Sequence, residues 1–286
     1  MRKTKGKWAL LAGGICMFAT AMMVVPSTTK AASAGITRVD EDAVYTDFDL
    51  DGDGEKDSFY IETSYGSEDD ECDYTGTLKV YVNDKKVFSQ KRDYHPYYGV
   101  QLITLENGKT FIDIESSVSS DDDIIHKLYR CKSDKLSAVY DFQKDCENYS
   151  DSYWTTIKKV SGNSLQLSCG AQFYATGIMG WNMKVNYTNG AFKRAGSSYD
   201  IKYKSSEQKN KWTAQRTMRA YKTAGGKKLA YKIKKGEKVK IYNVVIKNNK
   251  VYFKVKNRSG KGKTAYLTAT KKFVWPPYFK EAVFAG

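Results

Sequence analysis

From residue 35 onward, apolar and polar positions alternate with a period of two. Turn-forming residues interrupt the alternation every eight to twelve positions, which predicts short strands along the whole chain and very little helix. The 22 Tyr suit this pattern, because tyrosine packs well on a half-buried pleated surface. Two Asn-Gly pairs give the clearest hairpins. In LITLENGKTFIDI a two-residue turn at Asn107-Gly108 would pair Glu106 with Lys109, Leu105 with Thr110 and Ile103 with Ile112. That register gathers Ile103, Leu105, Ile112 and Ile114 on one face of a half-buried hairpin. In MKVNYTNGAFKRA the turn at Asn189-Gly190 sets Tyr187 opposite Phe192, with Val185 on the same face and Asn186, Thr188 and Lys193 on the other. Further hairpins are expected around Asn83-Asp84, Ser133-Asp134 and Ser161-Gly162.

The first 34 residues break the pattern. Arg2, Lys3, Lys5 and Lys7 precede an uncharged apolar run from Trp8 to Val25, and Ala32-Ser33-Ala34 offers a small-residue cleavage site. This reads as a signal peptide, residues 1–34, with the mature chain starting near Gly35. The product is expected to be secreted, extracellular or associated with a cell wall, without stable membrane insertion after cleavage. Four cysteines then remain, Cys72, Cys131, Cys146 and Cys169, enough for two disulfides in any of three connectivities, or for free buried thiols in an anaerobic habitat. Their spacings fit no zinc motif.

Charge divides the chain more sharply than hydropathy does. Residues 35–150 carry 13 Lys and Arg against 27 Asp and Glu, a net of −14, whereas residues 207–286 carry 22 against 3, a net of +19. An asymmetry of this size implies two regions with different partners, or two that attract each other. The polar stretch KSSEQKNK, where the balance turns basic, marks a boundary. We therefore expect a β-domain over 36–205, a linker at 206–211, a small barrel of five short strands over 212–275, and a tail over 276–286. Pro276 and Pro277 stop any ladder there, so the apolar tail should pack on a neighbour. The basic region calls for a polyanionic partner: an anionic wall polymer or the chain's own acidic front. Nucleic acid is not expected, because tyrosines at strand spacing serve cross-strand packing and a secreted protein meets little of it.

The densest chemistry lies in DFDLDGDGEKD, residues 47–57, with five Asp and one Glu in eleven residues. Asp49, Asp51 and Asp53 stand at alternate positions, Gly54 permits a sharp turn, and the Glu55 carbonyl and Asp57 complete a set of hard oxygen ligands of the kind calcium takes. Tyr60 occupies the position where an EF-hand places its bidentate Glu, and SFYIETS reads as a strand rather than a helix. The loop resembles the strand-associated D-x-D-x-D-G-x-x-D calcium loops of FG-GAP and VCBS-type β-propeller repeats. A single copy is present; the acidic runs at 67–73 and 119–125 lack the glycine and read as exposed loops. The fold class is therefore all-β, with an N-terminal sandwich or propeller-like sheet domain.

Residues 212–275 resemble a bacterial SH3-like domain, through Met218-Arg219-Ala220-Tyr221, Lys235-Gly236-Glu237-Lys238-Val239-Lys240-Ile241 and Val251-Tyr252-Phe253-Lys254-Val255. The resemblance implies attachment to peptidoglycan or a related wall polymer. Tyr266 stands where that family usually has Gly-Trp, and Tyr221, Tyr252 and Tyr266 are the candidate ligand-binding residues. The whole layout resembles secreted proteins of Gram-positive bacteria that join such a loop to such a domain.

Catalysis has little support. Only His95 and His126 exist, both ahead of every cysteine except Cys72, which sits in an acidic run that would raise its pKa. Asp113 and Glu115 share a strand face about 7 Å apart, the one carboxylate pair that suits a glycan or wall hydrolase. The expected function is a non-catalytic, wall-associated binding protein with a calcium-stabilised β-domain. The alternatives are a secreted hydrolase and a structural protein whose acidic and basic regions dock on each other.

Overall fold

Twenty strands and two short 3-10 turns account for almost all regular structure among the residues described, 33–67, 74–93, 96–118, 125–202 and 212–284 of a computed structural model. The leader, Cys72, His95 and the two glycine-free acidic runs lie largely or wholly outside them. No helix among the described residues is long and apolar enough to cross a membrane.

The strands form three antiparallel sheets, none closed. The first has the order β1 (Gly35–Arg38), β6 (Tyr97–Thr104), β7 (Thr110–Ser117), β8 (Ile125–Lys132) and β9 (Lys135–Asp141). The second joins β2 (Tyr45–Phe48), β3 (Asp57–Ser67), β4 (Tyr74–Val82) and β5 (Lys85–Arg92) in sequence order. The third is much longer. It starts with β10 (Ser150–Ser161), β11 (Ser164–Phe173) and β12 (Gly177–Thr188), with β13 (Ala191–Arg194) also on β12, and passes through β14 (Ser198–Lys202). It continues through β18 (Lys238–Lys247), β19 (Lys250–Lys256), β20 (Thr264–Thr268), β16 (Met218–Tyr221) and β17 (Leu229–Ile233), while β15 (Trp212–Thr213) adds to β18. Strands on either side of residues 204–211 are thus hydrogen-bonded neighbours, with Ser198 opposite Val245 and Asp200 opposite Asn243.

The five-stranded sheet is a shared middle layer. One of its faces, with Val100, Leu102, Ile112 and Ile114, packs on Phe59, Ile61, Leu78 and Val80 of the four-stranded sheet. The other, with Ile103, Phe111 and Leu128, joins a larger core with Leu167, Trp181, Val185, Val244 and Phe253 of the third sheet. Phe111 meets Tyr187 and Phe192 edge-on, with ring centroids 5.1 and 5.0 Å apart. Strand β7 is therefore covered on both faces, not half-buried.

This layering explains a difference at Asn107-Gly108. The observed register pairs Ile103 with Phe111 and Leu102 with Ile112, one residue from the expected one. Gly108 has φ of 80° but Asn107 does not enter the left-handed region, so the connection is a three-residue loop, Glu106–Gly108, closed by Leu105 N–H to Lys109 O at 2.9 Å and Gly108 N–H to Leu105 O at 3.0 Å. Ile103 and Leu105 thereby face one core, and Ile112 and Ile114 the other. At Asn189-Gly190 both residues are left-handed, φ 53° and 82°, and Tyr187 stands opposite Phe192 as expected. Asn83-Asp84 and Ser133-Asp134 make the same kind of tight turn, and the third expected hairpin turns on Gly162-Asn163.

The tail packs inward. Phe279 is fully buried and bridges to Ala214. Tyr278 N–H donates to Ala175 O at 2.7 Å, Ile178 N–H to Val283 O at 2.8 Å and Lys280 N–H to Thr213 O at 3.0 Å, which ties the tail to both parts of the long sheet.

Candidate functional site

The acidic loop joins β2 to β3, and its ends are pinned by Phe48, Leu50 and Phe59 in the smaller core. Left-handed Gly52 and Gly54, φ 85° and 93°, curl the backbone so that its N–H groups point inward. Asp49 accepts from Gly52 N–H at 2.6 Å through Oδ1 and from Gly54 N–H at 3.1 Å through Oδ2. Asp51 accepts from Asp53 N–H at 3.1 Å. Asp57, buried at the start of β3, accepts from Leu50 N–H at 2.7 Å and from the Asn83 side-chain amide at 2.5 Å.

Asp49, Asp51 and Asp57 each offer an oxygen, and these oxygens lie within 4.8 Å of one another. Two ligands at roughly 2.4 Å from one calcium-sized ion stand at most about 4.8 Å apart, so the spacing fits a single shared cation. The Asp51 carboxyl is pushed above its ordinary range, first by burial and then by the charges of Asp57, Asp53 and Asp49, against the Asp53 N–H bond that lowers it. A bound cation would reverse that unfavourable balance. Lys56 turns away to pair with Asp47 at 3.1 Å. The Asp53 carboxylate is not one of the three in this group. It accepts from Glu55 N–H at 2.8 Å, the same kind of local turn that Asp51 makes with Asp53 N–H. Asn83, which orients Asp57, was marked by the sequence only as a turn residue.

The other candidates separate. Cys131 is a free buried thiol, so a framework of two disulfides does not form. Burial, then the charges of Asp57, Asp51 and Asp134, push it up to about 11, which keeps it protonated and inert. Cys146 and Cys169 are buried in the larger core, and Cys72 lies outside the described residues. Asp113 is 4 % exposed, with its Oδ1 3.0 Å from Nε2 of buried His126, because the sheet carrying both is covered on each face. Glu115 is partly buried, with its carboxyl raised by burial first. This pair therefore does not present two open carboxylates. Burial pulls the His126 pKa down, but Asp113, Glu115 and Asp141 more than offset it, and the net direction is up.

On the basic sheet, Tyr221 and Tyr266 stand directly opposite each other on β16 and β20. Tyr252 stands on the same face at the diagonal position on β19, buried, with its hydroxyl against the Gly225 turn. Lys240 and Lys256 place their amines 5.0 and 5.5 Å from the Tyr242 ring centroid.

No family model, curated protein or solved structure matches the chain. The functional reading rests on its own geometry.

Proposed function

We propose that this chain is a secreted, non-catalytic binding protein of the cell wall, whose acidic loop holds calcium and whose SH3-like basic region, 212–275, attaches it to an anionic wall polymer. The observation that carries this reading is the segregation of charge. The positive side chains of the last third alternate with buried apolar residues along β18 and β19, as in KVYFKVK with its pattern of exposed Lys250, half-buried Lys254 and Lys256 and buried Val251, Phe253 and Val255. Amines spaced along a sheet suit a long partner with repeating negative charge better than a small compact one. Three converging carboxylates in a glycine-turned loop suit a hard divalent ion, and calcium accepts such oxygen-rich, irregular geometry more readily than magnesium does.

Retention on purified cell walls tests the attachment. Deleting residues 207–286 would expose half of the larger core, so charge reversal on the surface is the cleaner variant. Changing Lys232, Lys240, Lys254 and Lys256 to Glu should abolish retention while the protein stays folded. Equal retention of both forms would remove the attachment role.

A further inference from the structure

A second surface, on residues 150–202, has the make-up of a saccharide site. Strand β12 pairs with β13 through Val185–Thr188 and with β14 through Gly180 and Trp181. Between these two ladders the chain crosses over at Ala195–Ser198, with Ala195 N–H on Lys184 O at 2.8 Å and Ser197 O accepting from Ile246 N–H at 2.9 Å. The split opens a cleft of about 770 Å³ beside Asn182 and Met183. Buried Met183 and Tyr199 supply an apolar floor. Exposed Lys158, Lys184 and Lys202 stand at its rim with the amides of Gln166 and Asn182. Asp200 also lines it, but its carboxylate is engaged by the Asn243 side-chain amide at 2.6 Å.

On the same outer face, Trp154 lies over Gly170, its partner across the ladder. A Cβ added at Gly170 would come within 2.3 Å of two indole carbons, so the glycine is what lets the ring lie close to the sheet. The next residue across is Gly180. One row of this face is therefore Trp154, Gly170 and Gly180; the next is Thr156, Ser168 and Asn182; the third brings Lys159, Gln166 and Lys184, with Lys158 at a bulge between the second and third rows. Gly170 and Gln166, which face Trp154 and Lys159, are four strand residues apart, about 13 Å, so a ligand reaching from the indole to the lysine row would be an oligomer.

We propose that this face binds an acidic oligosaccharide. The half-buried indole stacks on the apolar face of a sugar ring, the hydroxyl and amide row takes its hydroxyls, and the three amines in the cleft take its carboxylate or phosphate groups. Flat aromatic surface, uncharged hydrogen-bonding groups and clustered cations answer three features that a charged saccharide combines. The site lies outside residues 212–275 and goes beyond wall attachment by that region.

Calorimetric titration of the purified protein tests it with four probes: oligogalacturonate, a phosphorylated mannan fragment, maltohexaose and oligoglutamate. One or both acidic saccharides should bind at least about tenfold more tightly than the neutral sugar and the sugar-free polyanion, and the tighter one identifies carboxylate or phosphate as the charged group. Changing Lys158, Lys184 and Lys202 to Ala should weaken that binding by about tenfold or more, while a charge-matched control, Lys86, Lys132 and Lys135 to Ala, leaves it unchanged. Trp154→Ala should weaken all saccharide binding; should that variant fail to fold, Asn182→Ala and the lysine variant carry the test. Absence of binding by both acidic saccharides overturns the proposal, as does equal affinity for oligoglutamate or equal loss in the control. None of these variants touches Lys232, Lys240, Lys254 or Lys256, so unaltered protein that is retained on cell walls but binds neither acidic saccharide would reject this site alone.

Discussion

In the loop between β2 and β3, three carboxylates converge to within 4.8 Å. Along β19, by contrast, Lys254 and Lys256 are two strand residues apart, about 7 Å, with buried Val255 between them. Both regions concentrate one sign of charge, but backbone geometry decides what the charge can recognise. A curled loop with glycines at left-handed positions turns alternate side chains inward and makes a compact cage. A pleated strand sends alternate side chains to opposite faces and spreads like charges into a row. The cage suits one small ion; the row suits a polymer. The two regions are also joined without relying on their opposite charges, because the five-stranded sheet meets the long sheet through Phe111, Tyr187 and Phe192.

Phe111→Ala breaks this comparison most severely. Removing a fully buried ring should cost about 3–5 kcal/mol, and denaturant melts should show loss of the acidic front and the long sheet in one transition. Two resolved transitions would mean the middle layer does not couple them. Metal removal comes next. Calcium at a hundredfold excess over its dissociation constant should stabilise by about 2.7 kcal/mol, seen as a higher melting temperature that chelator reverses. Asp51→Ala should abolish that response, whereas Asp53→Ala, outside the cluster, should keep most of it. A smaller effect belongs to His126. Its folded pKa lies above the unfolded value, so its contribution to stability is complete below about pH 6.5 and is lost as pH rises through the folded pKa. The wild type should therefore lose more melting temperature than His126→Gln between pH 6 and pH 9; parallel curves would show that His126 does not titrate against Asp113. The smallest effect sharpens the contrast. Lys254→Ala with Lys256→Ala should change stability by no more than about 1 kcal/mol, because the pair gives up little beyond the Lys256 contact with the Tyr242 ring.

Two Asn-Gly turns show how far the sequence was legible. At Asn189-Gly190 local chemistry decided the outcome, since both residues accept left-handed backbone and the strands beyond have one buried and one open face. At Asn107-Gly108 the neighbours decided it. Glu106 N–H donates to Gly162 O at 3.2 Å, Glu106 Oε1 accepts from Gly162 N–H at 2.8 Å and Asn107 N–H reaches the Asn163 side chain at 3.2 Å, so one hairpin tip is seated on another 56 residues away. Nothing local encodes that partner, and because β7 is apolar at both Phe111 and Ile112 its pattern fits either register. The acidic loop was legible in its alternating Asp and its glycines, but not in the anchoring of Asp57 by Asn83 from the β4–β5 turn. Trp154 lying on Gly170 left no local signal, since a strand glycine has many uses.

The inward tail sets an order of assembly. Phe279 fills the larger core, and the hydrogen bonds from Tyr278 and Lys280 join Ala175 to Thr213. During synthesis, residues 150–268 must wait for a segment made after all of them. Until residues 278–283 are in place the long sheet stays unfinished, with Trp212 uncovered where Phe279 belongs. Docking of that segment, rather than strand pairing, then becomes the step that completes the core.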